Sequence, residues 1–555
     1  MRSVSVRANV GVAARDGIRL STDLYLPASP TPVPAVLIRT PYDNTLPFLV
    51  EKGRRLADHG YAVAIQDCRG RFDSDGTYEP FRTEGPDGYD TVEWLAAQPW
   101  CDGRVGMAGR SYAGWTQWTA ALERAPHLRA IAPRAMAPDL HRGLVWRGGA
   151  FNLGVLMLWG LTTSGRSMQE IDRLDWIEAF RLLPLTEAAA AASQDVDHWR
   201  WWLDHPLRDD TWADGQLVPM AGLDVPALVM GGWYDLYADD MLTAWAELRA
   251  SDSVAAPGSR LVVGPWPHAL AESTVTGELD FGARSQLDLE GLELRWFDRW
   301  LRDEPNGVEH EAPLRLFVMG SNEWRDEREW PLARTDRQAW HLHSGGDAAT
   351  LLGDGSLSRA APASDEPADT FTYHPDHPVP TTGGPNCCWP TLVPWGPYDQ
   401  RDLEMRADVL CYTSDALDTD LEVTGPIRVV LWAATDGRDT DWTAKLVDVW
   451  PSGRAINLCD GIIRTRFRDG FEREALLEPG RVERYEIELM ATSNVFLAGH
   501  RIRLEVSSSN FPRFDRNPNT GAPIGRDADV RVARQTVLHT ATAPSHVVLP
   551  VIPPG

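Results

Sequence analysis

The fold of this 555-residue chain is decided by the stretch VGMAGRSYAGW (105–115). A short apolar run leads into small residues around Ser111, and a helix-like stretch from Trp115 to Arg124 follows. A strand, a sharp turn and a helix in this order are typical of a nucleophile elbow, which exposes a serine hydroxyl at a helix N-terminus. The strict pattern has glycine two residues after the serine, where this chain has Ala113 followed by Gly114. Ser111 is the candidate nucleophile, and an ordinary glycine-containing turn is the alternative.

Two later strand-like runs end in an acid and in a histidine. VPALVMGGWYD (225–235) ends at Asp235, and SRLVVGPWPH (259–268) ends at His268. A serine nucleophile needs a base to take its proton and an acid to orient that base. An isolated aspartate after a strand is usually a helix cap, and an isolated histidine is usually structural. The order Ser, Asp, His at three strand ends is that of an α/β-hydrolase and predicts a catalytic triad of Ser111, Asp235 and His268.

Composition excludes several classes of partner. The formal charge is −25, from 54 basic and 79 acidic residues, and no basic block of the kind that nucleic acid requires is present. The N-terminal residues contain no apolar run long enough for a secretory signal, and no stretch reaches membrane-spanning length. The six cysteines lack zinc spacing, and the adjacent Cys387 and Cys388 are poor candidates for pairing with each other. We therefore expect a reduced cytoplasmic protein without nucleic-acid or membrane partners.

Changes in composition and residue pattern divide the chain into four segments. Residues 1–143 and 219–335 alternate strand-like and helix-like stretches, which predicts an α/β core. Residues 144–218 lose the β runs and predict an inserted helical cap. Residues 336–555 are rich in proline, glycine and short alternating runs, which predicts an all-β sandwich or jelly roll. The predicted cap helices are Glu170–Phe180, Glu187–Ser193 and His198–Leu203.

Ordered motifs along nearly the whole chain resemble the cocaine esterase/NonD family of serine hydrolases, relatives of X-prolyl dipeptidyl aminopeptidases and α-amino acid ester hydrolases. These motifs are RTPYD (39–43), QDCRGR (66–71), GRSYAG (109–114), GWYD (232–235), GPWPH (264–268), RWFDRWL (295–301), FVMG (317–320), DGRDTDW (436–442) and SSSNFPR (507–513). The family form of the elbow has its second glycine where Gly114 stands. The resemblance implies an α/β-hydrolase core, an inserted helical cap and a C-terminal jelly roll.

The resemblance also implies an oxyanion hole and an acyl pocket. The backbone N–H of Tyr112, the residue after the nucleophile, supplies one oxyanion donor, and the hydroxyl of Tyr42 supplies the other by family analogy. Trp146 and Trp159 correspond approximately to aromatic positions that hold the acyl group in the family. Tyr237, two residues after the acid, is a third candidate for substrate contact, and core packing is the alternative for all three residues.

The predicted activity is hydrolysis of an ester, or an amide, of a small acyl substrate through an acyl-enzyme, without cofactor or metal. One alternative is a peptidase or acylase that binds a free amino group, which needs carboxylates near the site; Glu272 and Asp280 are candidates. An acyltransferase and a non-catalytic ligand-binding protein remain further alternatives. Relatives often self-associate, so a homo-oligomer remains open, and the sequence identifies no interface.

Overall fold

A ten-stranded, mostly parallel sheet organises the N-terminal part of the computed structural model, which describes residues 3–213 and 217–554. All six residues of one inner strand, Ala62–Asp67, are buried, as expected for a parallel strand covered on both faces. The first elements are β1 (Val4–Ala13), β2 (Arg19–Pro27), β3 (Val33–Thr40), α1 (Pro47–Asp58), β4 (Ala62–Asp67), α2 (Glu84–Ala96), β5 (Cys101–Arg110), α3 (Tyr112–Leu122) and β6 (Leu128–Arg134).

An insertion that is mainly helical follows β6. Its elements are β7 (Trp146–Arg147), β8 (Ala150–Phe151), α4 (Leu153–Thr163), α5 (Trp176–Ala179), α6 (Leu185–Ala192), α7 (Asp197–Asp204) and α8 (Asp210–Ala213). Helices α6 and α7 confirm two of the predicted cap helices. The prediction over Glu170–Phe180 is wrong for most of its length, because the helix there is one turn capped by the Asp175 carboxylate. Helix α4 has no amphipathic pattern, because it is buried on nearly every side.

The sheet resumes after the insertion. The next elements are β9 (Leu228–Tyr234), α9 (Ala238–Ala250), β10 (Arg260–Pro267), β11 (Val275–Thr276), β12 (Leu279–Asp280), α10 (Leu289–Arg302), β13 (Leu314–Val318) and β14 (Glu323–Glu327). The strand order is β1-β2-β4-β3-β5-β6-β9-β10-β13-β14. The run from β4 to β13 is parallel, and antiparallel pairs stand at both edges. The carboxyl ends of β5, β9 and β10 therefore meet at one edge of the sheet.

The C-terminal part is all-β, as predicted. Its eleven-stranded sheet is antiparallel in every pairing except β16 with β18, and it has a core of its own that includes Trp442 and Ile487. The strands are β15 (Asp336–His343), β16 (Ser356–Ser358), β17 (Asp369–Tyr373), β18 (Leu410–Thr413), β19 (Leu421–Thr435), β20 (Asp441–Val449), β21 (Ala455–Arg464), β22 (Glu483–Phe496), β23 (Arg501–Ser507), β24 (Ala533–Leu538) and β25 (His546–Ile552). The domain boundaries at 143/144, 218/219 and 335/336 stay predictions.

Two features bear on the composition-based expectations. In the two described ranges, no helix combines the length and the apolar character needed to cross a membrane. Cys387 and Cys388 form a disulfide, so the expectation that they do not pair is wrong in this structure. Consecutive side chains of an extended segment point to opposite faces, but Cys388 has a φ of 77°, which breaks that alternation. The described free cysteines are Cys68, Cys101, Cys411 and Cys459, all buried.

Candidate active site

Ser111 stands in the sharp turn between β5 and α3. Its φ of 61° and ψ of −127° lie in a region that non-glycine residues rarely adopt, as expected for a serine held in an elbow. The turn is tight on both sides: a Cβ at Gly109 would lie 2.5 Å from the Ala113 side chain, and one at Gly114 would lie 2.8 Å from Met136. Gly114, rather than the residue at 113, is thus a second position where the elbow requires glycine.

Asp235 and His268 are the first residues after β9 and β10, just as Ser111 is the first after β5. Their side chains are hydrogen bonded, with 3.1 Å between His268 Nδ1 and Asp235 Oδ2. Asp235 is fully buried and accepts a second hydrogen bond from the backbone N–H of Tyr237, at 2.9 Å from Oδ1. A carboxylate only accepts hydrogen bonds, so Nδ1 of His268 carries a proton toward Asp235 and Nε2 remains available.

A pocket beside the elbow brings together four of the predicted site residues with Ser111. It is lined by Tyr42, Phe81, Ser111, Tyr112, Met136, Leu144, Val155, Leu156, Trp159 and Tyr237. Tyr237 also contacts the histidine, since its ring centre lies 5.9 Å from that of His268. Tyr237 therefore borders both the Ser111 pocket and the Asp235–His268 pair.

Tyr42 has the hydrogen-bonding state that an oxyanion donor needs. The indole N–H of Trp159 donates to its hydroxyl oxygen at 2.9 Å. Because an indole N–H can only donate, the Tyr42 oxygen accepts this bond, and its own O–H remains a hydrogen-bond donor. Burial raises the pKa of Tyr42 to about 12. This effect outweighs the hydrogen bonds with Trp159 and Ser111, which lower the pKa. The phenol is consequently protonated at neutral pH.

Tyr112 is anchored by its side chain, which fixes its backbone. Its hydroxyl donates to the Glu84 carboxylate at 2.6 Å and accepts from the backbone N–H of Phe81 at 2.8 Å. The ring stacks on Trp159 with 6.1 Å between ring centres. Tyr112 opens helix α3, so its N–H has no intrahelical acceptor and is available to a ligand.

The QDCRGR motif supports the loop that carries Tyr42. The Arg71 guanidinium donates to the carbonyl of Pro41 at 2.8 Å, and the Asp67 carboxylate accepts from the N–H of Asn44 at 2.8 Å. Arg69 pairs with Asp16 and Asp87. These contacts form an ion-pair and hydrogen-bond network beneath the loop that carries Tyr42.

Trp146 is not among the residues that line the pocket. It is 1% exposed and packs against Phe151, with 5.1 Å between ring centres. Its contact with substrate stays a prediction. The sequence analysis missed the apolar wall formed by Phe81, Met136 and Leu144, because nothing in the local pattern separates a pocket wall from ordinary core.

Comparison with protein families places this architecture in a known group of hydrolases. Residues 16–270 match the X-Pro dipeptidyl-peptidase (S15 family) model, and residues 306–548 match the X-Pro dipeptidyl-peptidase C-terminal non-catalytic domain. The chain is also 40% identical to cocaine esterase from Rhodococcus sp. (strain MB1 Bresler) over 583 aligned positions that cover 99% of both chains. The chain therefore belongs to the cocaine esterase family of serine hydrolases, as its motifs predict.

Two solved structures share the whole architecture. An aminopeptidase from the marine sediment archaeon Thaumarchaeota archaeon has a TM-score of 0.88 at 28% identity, covering 99% of this chain and 97% of that one. An α-amino acid ester hydrolase has a TM-score of 0.84 at 26% identity, with the same coverage of 99% and 97%. The fold is accordingly an α/β-hydrolase core with a helical insertion and a C-terminal all-β domain.

Proposed function

We propose that this protein is a serine esterase that hydrolyses esters of small, uncharged acyl groups through an acyl-enzyme. The observation that carries the proposal is the state of Tyr42, whose oxygen accepts from the Trp159 N–H and whose O–H is a donor in the pocket that Ser111 lines. A donor held in that state beside a serine elbow is suited to acyl transfer, which develops negative charge on the carbonyl oxygen.

Proton transfer in the proposed reaction runs through His268. Asp235 accepts a hydrogen bond from Nδ1–H of the imidazole, which leaves Nε2 as the base that takes the Ser111 proton during attack on the ester carbonyl. The same nitrogen then returns that proton to the leaving alcohol. Water attacks the acyl-enzyme in a second, equivalent half-reaction and releases the acid, and Asp235 stabilises the imidazolium in both halves.

The oxyanion of each half-reaction is stabilised by two donors in this proposal. The Tyr42 hydroxyl supplies one, and the free backbone N–H of Tyr112 at the start of α3 supplies the other. A phenol with a pKa of about 12 keeps its proton throughout the range in which the histidine acts as a base. The donor is therefore present over the whole working pH range.

The lining of the pocket favours an uncharged acyl group over one that carries an ammonium. All ten described lining residues are uncharged. Six of them have aliphatic, thioether or non-phenolic aromatic side chains: Phe81, Met136, Leu144, Val155, Leu156 and Trp159. Neither acid named for the amino-binding alternative lines the pocket: Glu272 is exposed and pairs with Arg110, and Asp280 is exposed. Burying an ammonium without a carboxylate partner is unfavourable.

A panel of chromogenic substrates tests this proposal. The panel contains p-nitrophenyl acetate, butyrate and benzoate as esters of uncharged acids, and alanine p-nitrophenyl ester and p-nitroanilide as amino-bearing members. We expect turnover of the first group, weak or no turnover of the second, and a loss of about 10⁶-fold in kcat for Ser111→Ala. Preference for the alanine compounds would support the amino-binding alternative, and turnover unaffected by Ser111→Ala would refute the serine mechanism.

A further inference from the structure

A loop of the C-terminal domain reaches the catalytic acid. This loop spans 383–396, between β17 and β18, and is closed by a bridge between Gly384 and Gly396. Asn386 pairs with Asp235 in a parallel backbone bridge. Its side-chain amide donates to the carbonyls of Gly383 and Pro394, which ties the loop together. The residues that follow Asn386 are consequently held beside the proposed active site.

Those residues are Cys387 and Cys388, and they lie next to His268. The ligand atoms of His268, Cys387 and Cys388 are all within 4.8 Å of one another. In the described part of the chain, this is the only group of at least three His, Cys, Asp or Glu residues whose ligand atoms lie so close together. Cys387 is 5% exposed, and Cys388 is the more accessible of the two. Two sulfurs and an imidazole are the ligands that thiophilic cations such as Zn²⁺ prefer.

Reduction has to separate the two sulfurs before a cation can bind, because the disulfide bonds them directly. Zinc–sulfur bonds of about 2.3 Å in a tetrahedron require two thiolates about 3.8 Å apart. Three protein ligands leave the fourth position to water. The sequence could not reveal this group, because the histidine follows a strand of the α/β core whereas the cysteines belong to the C-terminal domain.

We propose that the reduced protein binds one thiophilic divalent cation across His268, Cys387 and Cys388, and that this cation inhibits it. Breaking the Cys387–Cys388 bond requires two electrons and two protons, which an added thiol or phosphine supplies. Metal binding then releases the two thiol protons to solvent, and neutral His268 contributes a nitrogen lone pair. The disulfide form lacks both thiolates and does not bind the cation.

Inhibition follows from the position of His268 and rests on the proposed esterase function. A cation on Nε2 occupies the nitrogen that takes the Ser111 proton. A cation on Nδ1 instead displaces the hydrogen bond with Asp235 that fixes the ring. Either arrangement removes the base, so the esterase is active in its disulfide form and cation-sensitive in its dithiol form.

Calorimetry of the full chain with ZnCl₂ tests binding independently of activity. Wild-type protein reduced with a phosphine, and then freed of reductant, should bind one Zn²⁺ per chain with release of protons, while oxidised protein should not. The matched control is Cys387→Ser with Cys388→Ser, which keeps the four buried cysteines and should abolish this binding. His268→Gln should weaken the affinity by more than about tenfold, since loss of even an outer-shell partner has an effect of that order.

Ester hydrolysis measured over the same Zn²⁺ range tests the inhibition. Reduced wild type should lose activity with the midpoint found by calorimetry, whereas oxidised wild type and the double serine variant should keep theirs. The proposal is overturned if reduced wild type binds no Zn²⁺, if the double serine variant is inhibited equally, or if His268→Gln leaves the affinity unchanged. Absence of turnover in every sample without zinc would instead count against the esterase, and calorimetry would still decide the metal site.

Discussion

The sheet and the helical insertion supply the two sides of the pocket in different ways. Ser111, Asp235 and His268 each follow the last residue of a strand, so the hydrogen-bond ladders of the sheet fix their backbones. Trp159 lies inside α4, a buried helix of the insertion, and reaches the site only through its side chain and its bond to Tyr42. In the proposed mechanism, therefore, the sheet carries the reacting groups and the insertion positions Tyr42. Substitutions on the sheet side should accordingly have the larger effects.

After Ser111→Ala, the largest of these effects is expected for Asp235→Asn on the sheet side. The asparagine NH₂ group donates to Nδ1 and so places the imidazole proton on Nε2, which is the wrong tautomer, and kcat should fall by about 10⁴-fold. Steady-state kinetics on p-nitrophenyl acetate measure the change. If the three residues act as a unit, adding Ser111→Ala should lower kcat no further than Ser111→Ala alone. Losses that multiply in the double variant would contradict the triad.

Tyr42→Phe removes the proposed oxyanion donor and should lower kcat by about 10²–10³-fold, with a small change in KM. The phenyl ring keeps the packing while the hydroxyl is lost. Tyr78→Phe is the matched control, because the buried Tyr78 hydroxyl has no hydrogen-bond partner among the described residues and does not line the pocket. Its kcat should stay close to wild type. Equal losses in the two variants would argue against a role of Tyr42 in the oxyanion hole.

Trp159→Phe tests the insertion side and should lower kcat by about tenfold or less. The change removes a hydrogen bond worth about 1 kcal/mol net that orients the Tyr42 hydroxyl. Trp146→Phe serves as the control, since the Trp146 indole N–H has no partner among the described residues. A loss for Trp146→Phe confined to bulky acyl esters would support its predicted contact with substrate. A loss for Trp159→Phe as large as that for Asp235→Asn would contradict the division between sheet and insertion.

The smallest expected effect concerns stability beneath the Tyr42 loop. Burial raises the pKa of Asp67 to about 7. This effect outweighs the hydrogen bonds from the N–H groups of Asn44 and Asp73, which lower the pKa. A raised pKa means that the folded state holds this proton more tightly, so the associated stability is present below pH 4 and is lost as the pH rises through 7. Asp67→Asn has no titrating group at this position and should not show this decline. The Tm of the variant relative to that of wild type should therefore rise by roughly 2–4 °C between pH 5 and pH 8.

Thermal unfolding at several pH values measures that shift. Asp73→Asn is the control, because the Asp73 side chain is exposed in the same loop and its backbone N–H is unchanged by the substitution. Parallel pH curves for wild type and Asp67→Asn would show that this carboxyl does not titrate as the structure indicates.

Local patterns predicted most of the sheet and few of the contacts in the insertion. Apolar runs ending in glycine identified the strands before Asp235 and His268, because a buried parallel strand needs continuous apolar residues and a turn must follow it. The Glu170–Phe180 prediction failed because residues that favour helices do not form one without a packed face to stabilise it. Helix α4 forms although its sequence has no amphipathic pattern, because tertiary packing buries it on almost every side.

The sequence by itself determined the α/β order, the all-β C-terminal part and the strand-end positions of Ser111, Asp235 and His268. These properties follow from short-range periodicity and from the small residues that a tight elbow requires. Only the tertiary structure decided that Trp159 donates to Tyr42, and that Cys387 and Cys388 stand beside His268. Such contacts join segments that are distant in the chain, and their geometry depends on how the insertion and the C-terminal domain pack against the sheet rather than on any local preference.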